Sequence, residues 1–123
     1  MNKVVPVKAV AAELRERWSP RIVAEVADVY VKVAKVQGQL TWHSHENEDE
    51  LFLVLKGHLR IELEQGSVEL GEGDVFVVPK GTRHNPVAVN ECHILLIEQK
   101  STLHTGGVVT EQTRSIADQL RPL

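Results

Sequence analysis

The sequence has little of several things. It has one cysteine, two Trp, one Tyr and two Phe in 123 residues, and a formal net charge of only −3. With Cys92 alone no intramolecular disulfide can form, so the fold must hold by packing, and no oxidising compartment is implied. Between Glu91 and His93, that cysteine reads as a small buried residue, not a nucleophile. Lys3, Lys8 and Glu13 interrupt the amino-terminal region, and no long apolar stretch follows. A signal peptide and a membrane span are therefore not expected, and the location read by default is cytoplasmic. No basic excess supplies a footprint for nucleic acid or an anionic membrane. The densest charge run, Glu46-Asn47-Glu48-Asp49-Glu50, is acidic and reads as a solvated turn.

With so few aromatics, the apolar mass is Val and Leu, which suits strands. Val7, Val10, Ala11, Leu14 and Trp18 recur at helical spacing between Pro6 and Pro20, predicting one helix packed on the outside of the body. From Ile22 the pattern turns to strands: Val29 to Val36, Leu40 to His45, Leu51 to Leu55, Leu59 to Leu63, Ser67 to Leu70, Val75 to Val78, His84 to Val89 and His93 to Glu98. Turns are read at Gln37-Gly38, Lys56-Gly57, Gln65-Gly66, Gly71 to Asp74 and Asn90-Glu91. Many short strands with glycine turns and no βαβ alternation predict an all-β sandwich or barrel. The length predicts one domain: 1–27 as helix and lead-in, 28–99 as the β body and 100–123 as a loosely packed tail.

The chemistry concentrates in two places. In Trp42-His43-Ser44-His45, residues two apart on a strand share a face, so both imidazoles can serve one point. Glu50 opens the next strand and, if that strand returns as a hairpin, adds a carboxylate. Two nitrogens and one oxygen from neighbouring strands would form a facial arrangement for a metal ion. Further on, Pro79-Lys80-Gly81 breaks a strand, and His84 starts the next one.

These elements resemble the two motifs of the cupin family. The first reads Gly38, then His43-x-His45-x4-Glu50-x6-Gly57; the second reads Gly73-x5-Pro79-x-Gly81-x2-His84, with Ala88 where the family has a final Asn. The resemblance implies a double-stranded β-helix, the jelly-roll or cupin barrel, with a short N-terminal helix. It also implies that His43, His45, Glu50 and His84 bind one divalent metal ion. Three nitrogens and one oxygen with open positions suit Fe, Mn, Ni, Co or Zn without choosing among them.

The short single-domain form is similar to proteins described as mannose-6-phosphate isomerase-like. A sugar-phosphate isomerase needs a phosphate clamp, for which only Lys80 and Arg83 offer themselves; a dioxygenase needs only open coordination sites and a pocket. The alternative is a non-catalytic barrel that binds or senses a small molecule. A small polar metabolite is the expected partner, with no nucleic acid and no membrane. A homodimer is expected through the Val-rich strand from Val29. Of the remaining histidines, His93 reads as a wall residue, His58 as exposed, and His104 as able to close over the pocket if the tail folds back. Glu98 reads as a surface or rim residue, and Phe52 and Phe76 as core.

Overall fold

The computed structural model describes residues 3–122. One helix, α1 (Val7–Glu13), precedes seven strands: β1 (Arg21–Val26), β2 (Val29–Gln39), β3 (Glu50–Lys56), β4 (Leu59–Leu63), β5 (Gly66–Leu70), β6 (Val75–Val78) and β7 (His84–Gln99). A four-residue helix, α2 (Ile116–Gln119), lies near the end of the chain. All ladders are antiparallel, and β7 is the hub: it pairs with β2, β3 and β4. The outer positions are β1 on β2, β6 on β3 and β5 on β4.

Strand periodicity sorts the side chains onto two faces. Ala34 and Val36 of β2, Phe52 and Val54 of β3, Leu59 and Ile61 of β4, and Ile94 and Leu96 of β7 fill the barrel interior. The alternate residues Val33, Leu55 and Leu95 form a second cluster with Ala11 and Leu14, so α1 covers the outer face of the β2–β7–β3 sheet as expected. Cys92 is fully buried in the barrel, where burial pushes its thiol up to about 11, so it stays protonated and unreactive. Val33 and Val36 are themselves fully buried, so the strand on which a homodimer was expected spends much of its apolar surface inside this chain.

The helix is shorter than its periodicity predicts. Leu14 is already extended at φ −62° and ψ 138°. Trp18, at φ 56°, leaves the helical face and enters the barrel interior, where its indole N–H donates to the Gln37 carbonyl at 2.7 Å. A buried indole with a satisfied N–H outweighs one further turn of a helix whose next residues, Arg15 to Arg17, are all exposed.

Two expected turns are bulges instead. Gly38, at φ 79°, continues β2, which runs on to Gln39. Across from it, β7 is one strand of 16 residues. Val36 faces Cys92 and Gly38 faces Ala88, so Val89, Asn90 and Glu91 stand opposite Gln37 alone. The polar Asn90-Glu91 pair marks a bulge at the point where β7 passes from β4 to β3. The segment Leu40 to His45 forms no strand; its sole ladder contact among the described residues is a bridge between His43 and His84.

Trp18→Ala should lower the stability of the chain by about 3–5 kcal/mol in urea titrations, the range for removing a large aromatic from a core. A loss below about 1 kcal/mol would place the indole on a solvated helix face instead.

Candidate metal centre

The two histidine motifs meet through the backbone. His43 N–H donates to the His84 carbonyl at 3.0 Å, and His84 N–H returns the bond at 2.9 Å. The Gly81 N–H donates to the His45 carbonyl at 2.7 Å, which ties the Pro79-Lys80-Gly81 turn to the same loop. Glu50 arrives differently from the expected hairpin: β3 lies between β6 and β7, and its first residue points to the interior in register with Phe52 and Val54. The result gathers His43, His45, Glu50 and His84, all buried, with donor atoms within 4.8 Å of one another. The imidazole of His43 lies 5.0 Å from that of His45 and 4.4 Å from that of His84, centroid to centroid.

The hydrogen bonds fix which nitrogens are free. A carbonyl can only accept, so Nδ1 of His43 donates to Thr41 at 2.8 Å and Nδ1 of His84 donates to Thr82 at 2.9 Å. In the neutral rings, both Nε2 atoms then carry lone pairs. That of His84 faces Glu50 Oε1 at 3.2 Å, an acceptor facing an acceptor. His45 has no hydrogen-bond partner at either nitrogen although it is buried, and its Nε2 stands 3.5 Å from the same carboxylate oxygen. Burial, and then the neighbouring His84, lower His43 to about 4, so its ring is neutral near pH 7. Converging lone pairs in a dry site require a cation among them, a proton or a metal ion. The donor set fits a divalent ion.

Behind Glu50 runs a buried ionic string. Lys32 is fully buried, and its Nζ lies 2.5 Å from Glu98 Oε1. Glu98 sits directly across the ladder from Glu50. Burial, then the Glu50 charge, raise the Glu98 carboxyl well above its usual range; Lys32 opposes this. Burial works against the Glu50 charge too, but the hydrogen bond from Glu98 outweighs it and holds that carboxyl well below its usual range. The two carboxyls thus share one proton and one negative charge, balanced by Lys32.

The pocket beside the cluster is lined by His43, Glu50, Trp18, Phe52 and Leu96, and by His104 from the tail. The tail is docked, not loose: Thr102, Thr105 and Gln119 are all buried. His93 lies outside the barrel wall, with Nε2 3.1 Å from Glu91. His58 is exposed and pairs with Glu69. Arg83 is exposed, its guanidinium 5.5 Å above the Trp42 ring, and neither it nor Lys80 lines this pocket.

Residues 29–98 match the family described as Cupin domain. The chain belongs to the cupin family. Its fold is shared by a cupin-2 domain-containing protein from Shewanella frigidimarina, 37% identical with a TM-score of 0.77, the match covering 79% of this chain and 95% of that one. A Bacillus subtilis relative, the uncharacterized protein YdbB, is 34% identical over 101 residues, 81% of this chain and 89% of that one. A 3-hydroxyanthranilate 3,4-dioxygenase from Ruegeria pomeroyi is 35% identical over 81 residues, 62% of this chain, which spans 45% of that enzyme's length.

The sequence reading of this cupin missed Lys32 and Glu98. Glu98 shares strand parity with Ile94 and Leu96, which places it inside; that signal was present. Lys32 carried none, because β2 is apolar on both faces and its parity alone does not choose the inner one.

Acid should destabilise the metal-free cupin. Burial holds His43 and His104 neutral in the fold down to about 4, against 6.5 for an exposed ring, so between those values the unfolded chain binds up to two more protons. Glu98 opposes this above 4.5 with one proton that only the fold retains. The histidines prevail, so the urea midpoint of chelator-treated protein should fall as the pH drops from about 6.5 towards about 4.5. A midpoint that is constant or rises over that range contradicts this assignment of protons.

Proposed function

We propose that this cupin holds one divalent metal ion through His43, His45, Glu50 and His84 and uses it to bind a small chelating metabolite. The observation that carries the reading is the buried His45 ring with no partner at either nitrogen, beside a lone pair of His84 that faces a carboxylate. A bound ion supplies a Lewis acid with open positions. The chain's own residues do the rest. Thr41 and Thr82 fix the tautomers of two ligands, Glu98 and Lys32 orient the Glu50 carboxylate, and the walls formed by Trp18, Phe52 and Leu96 exclude water.

Of the two enzyme classes, dioxygenase-type chemistry has the better support. The Ruegeria relative and a second one from Aspergillus clavatus, 31% identical over 78 residues, are both 3-hydroxyanthranilate dioxygenases, and this chain spans 45% and 41% of their lengths. A sugar-phosphate isomerase would need a cationic clamp at the pocket, and no Lys or Arg lines it among the described residues. The apolar walls suit a ligand with an unsaturated or aromatic body and a chelating edge.

Untagged protein should carry close to one transition-metal ion per chain, and His43→Ala with His84→Ala, which removes two of the four donors, should no longer hold it at that stoichiometry. Retained metal in the double variant contradicts the ligand assignment. The iron form should consume oxygen when given 3-hydroxyanthranilate or a related ortho-substituted aromatic acid. Binding of such ligands with no oxygen uptake in the iron and manganese forms would favour the non-catalytic alternative.

A further inference from the structure

The segment after β7 delivers to the barrel mouth a side chain that the four-donor cluster does not use. It crosses the loop carrying His43 and His45, and Gly106 lies directly against Ser44, the residue between them. Gly106 sits at φ 59°, and a Cβ there would overlap the Ser44 carbonyl oxygen. Further along, Gln112 Nε2 donates to the Gln39 carbonyl at 3.2 Å, and Arg114 and Arg121 face Glu16 at 3.8 and 3.5 Å. These contacts form a strap across the pocket.

On the strap, the His104 ring lines the same pocket as His43 and Glu50. The Arg114 backbone N–H donates to His104 Nδ1 at 2.9 Å, so Nδ1 is an acceptor. The neutral ring therefore carries its proton on Nε2, a donor with no protein partner among the described residues. The His104 ring is only partly buried, so this donor stays reachable from the pocket that it lines. The free space inside the pocket is about 20 Å³, room for one water-sized molecule.

We propose that His104 is a ligand-contacting residue whose Nε2–H donates a hydrogen bond to an anionic donor atom held at the open position of the site, and that the strap lifts to admit anything larger than water. The inference rests on the metal reading above and adds a ligand class to it: a small molecule presenting an anionic oxygen or nitrogen towards the strap. Gly106 sets the seating of the strap, because no other residue fits against Ser44.

The test loads wild type, His104→Ala, His104→Gln and Gly106→Ala with cobalt(II), measures cobalt per chain, and titrates azide by visible absorption. All four should hold one cobalt, since neither position supplies a metal ligand. His104→Ala should weaken azide by roughly tenfold, the loss expected for one hydrogen bond to a charged acceptor. His104→Gln, whose amide N–H can take the place of Nε2–H, should recover most of that affinity. Gly106→Ala should weaken azide similarly and speed its association. Wild-type azide affinity in His104→Ala, a Gln variant as weak as the Ala variant, or unchanged binding in Gly106→Ala overturns the proposal. A wild type that takes up no cobalt overturns the metal reading itself, and the proposal falls with it.

Discussion

His43 and His84 exchange both backbone hydrogen bonds, and that one bridge joins the two halves of the site. It holds a loop with no ladder of its own against the first residue of the longest strand, 41 positions away in sequence. A reciprocal pair is the shortest way to dock a loop on a strand end without losing its polar groups to burial. The Gly81–His45 hydrogen bond adds the Pro79-to-Gly81 turn to the same clasp. With the loop docked, alternation along the extended chain aims His43 and His45 at one point, and β3 brings Glu50 to it from the other side.

The clasp creates an electrostatic problem that the interior answers. Three imidazoles and a carboxylate share a dry space, and a second carboxylate, Glu98, stands directly across from the first. Isolated charges there would cost several kcal/mol each, so the string from Lys32 through Glu98 to Glu50 balances them by sharing a proton. Removing one member of such a string leaves an uncompensated charge, which is why Lys32 is as much part of the site as any of the four donors. The same string holds the Glu50 carboxylate ionised and oriented towards the histidines.

Much of this was legible in the sequence. The all-β class followed from short Val- and Leu-rich runs between glycine turns, and the four donors from His-x-His, Glu50 and the Pro-x-Gly-x-x-His84 element. Where local pattern and tertiary packing disagreed, packing prevailed. Trp18 left its helix for the barrel, and Asn90-Glu91 became a bulge because β7 needed extra residues to change partners. The docked tail was legible only as a conditional, since Gly106 and the surrounding polar residues read as loop; their value lies in a close approach to Ser44 that no local pattern encodes. Lys32 was hidden by the doubly apolar β2, a strand whose outer face is covered by α1.

The barrel thus offers a mostly apolar chamber with polar groups concentrated at one wall and the segment carrying His104 beside it. The most direct test of the whole account is anomalous diffraction from crystals of metal-loaded protein at the absorption edge of the ion. The account predicts one peak per chain, bonded to Nε2 of His43 and His84, a ring nitrogen of His45 and a carboxylate oxygen of Glu50. A peak bonded elsewhere, or none in the barrel of protein shown to be loaded, would contradict it.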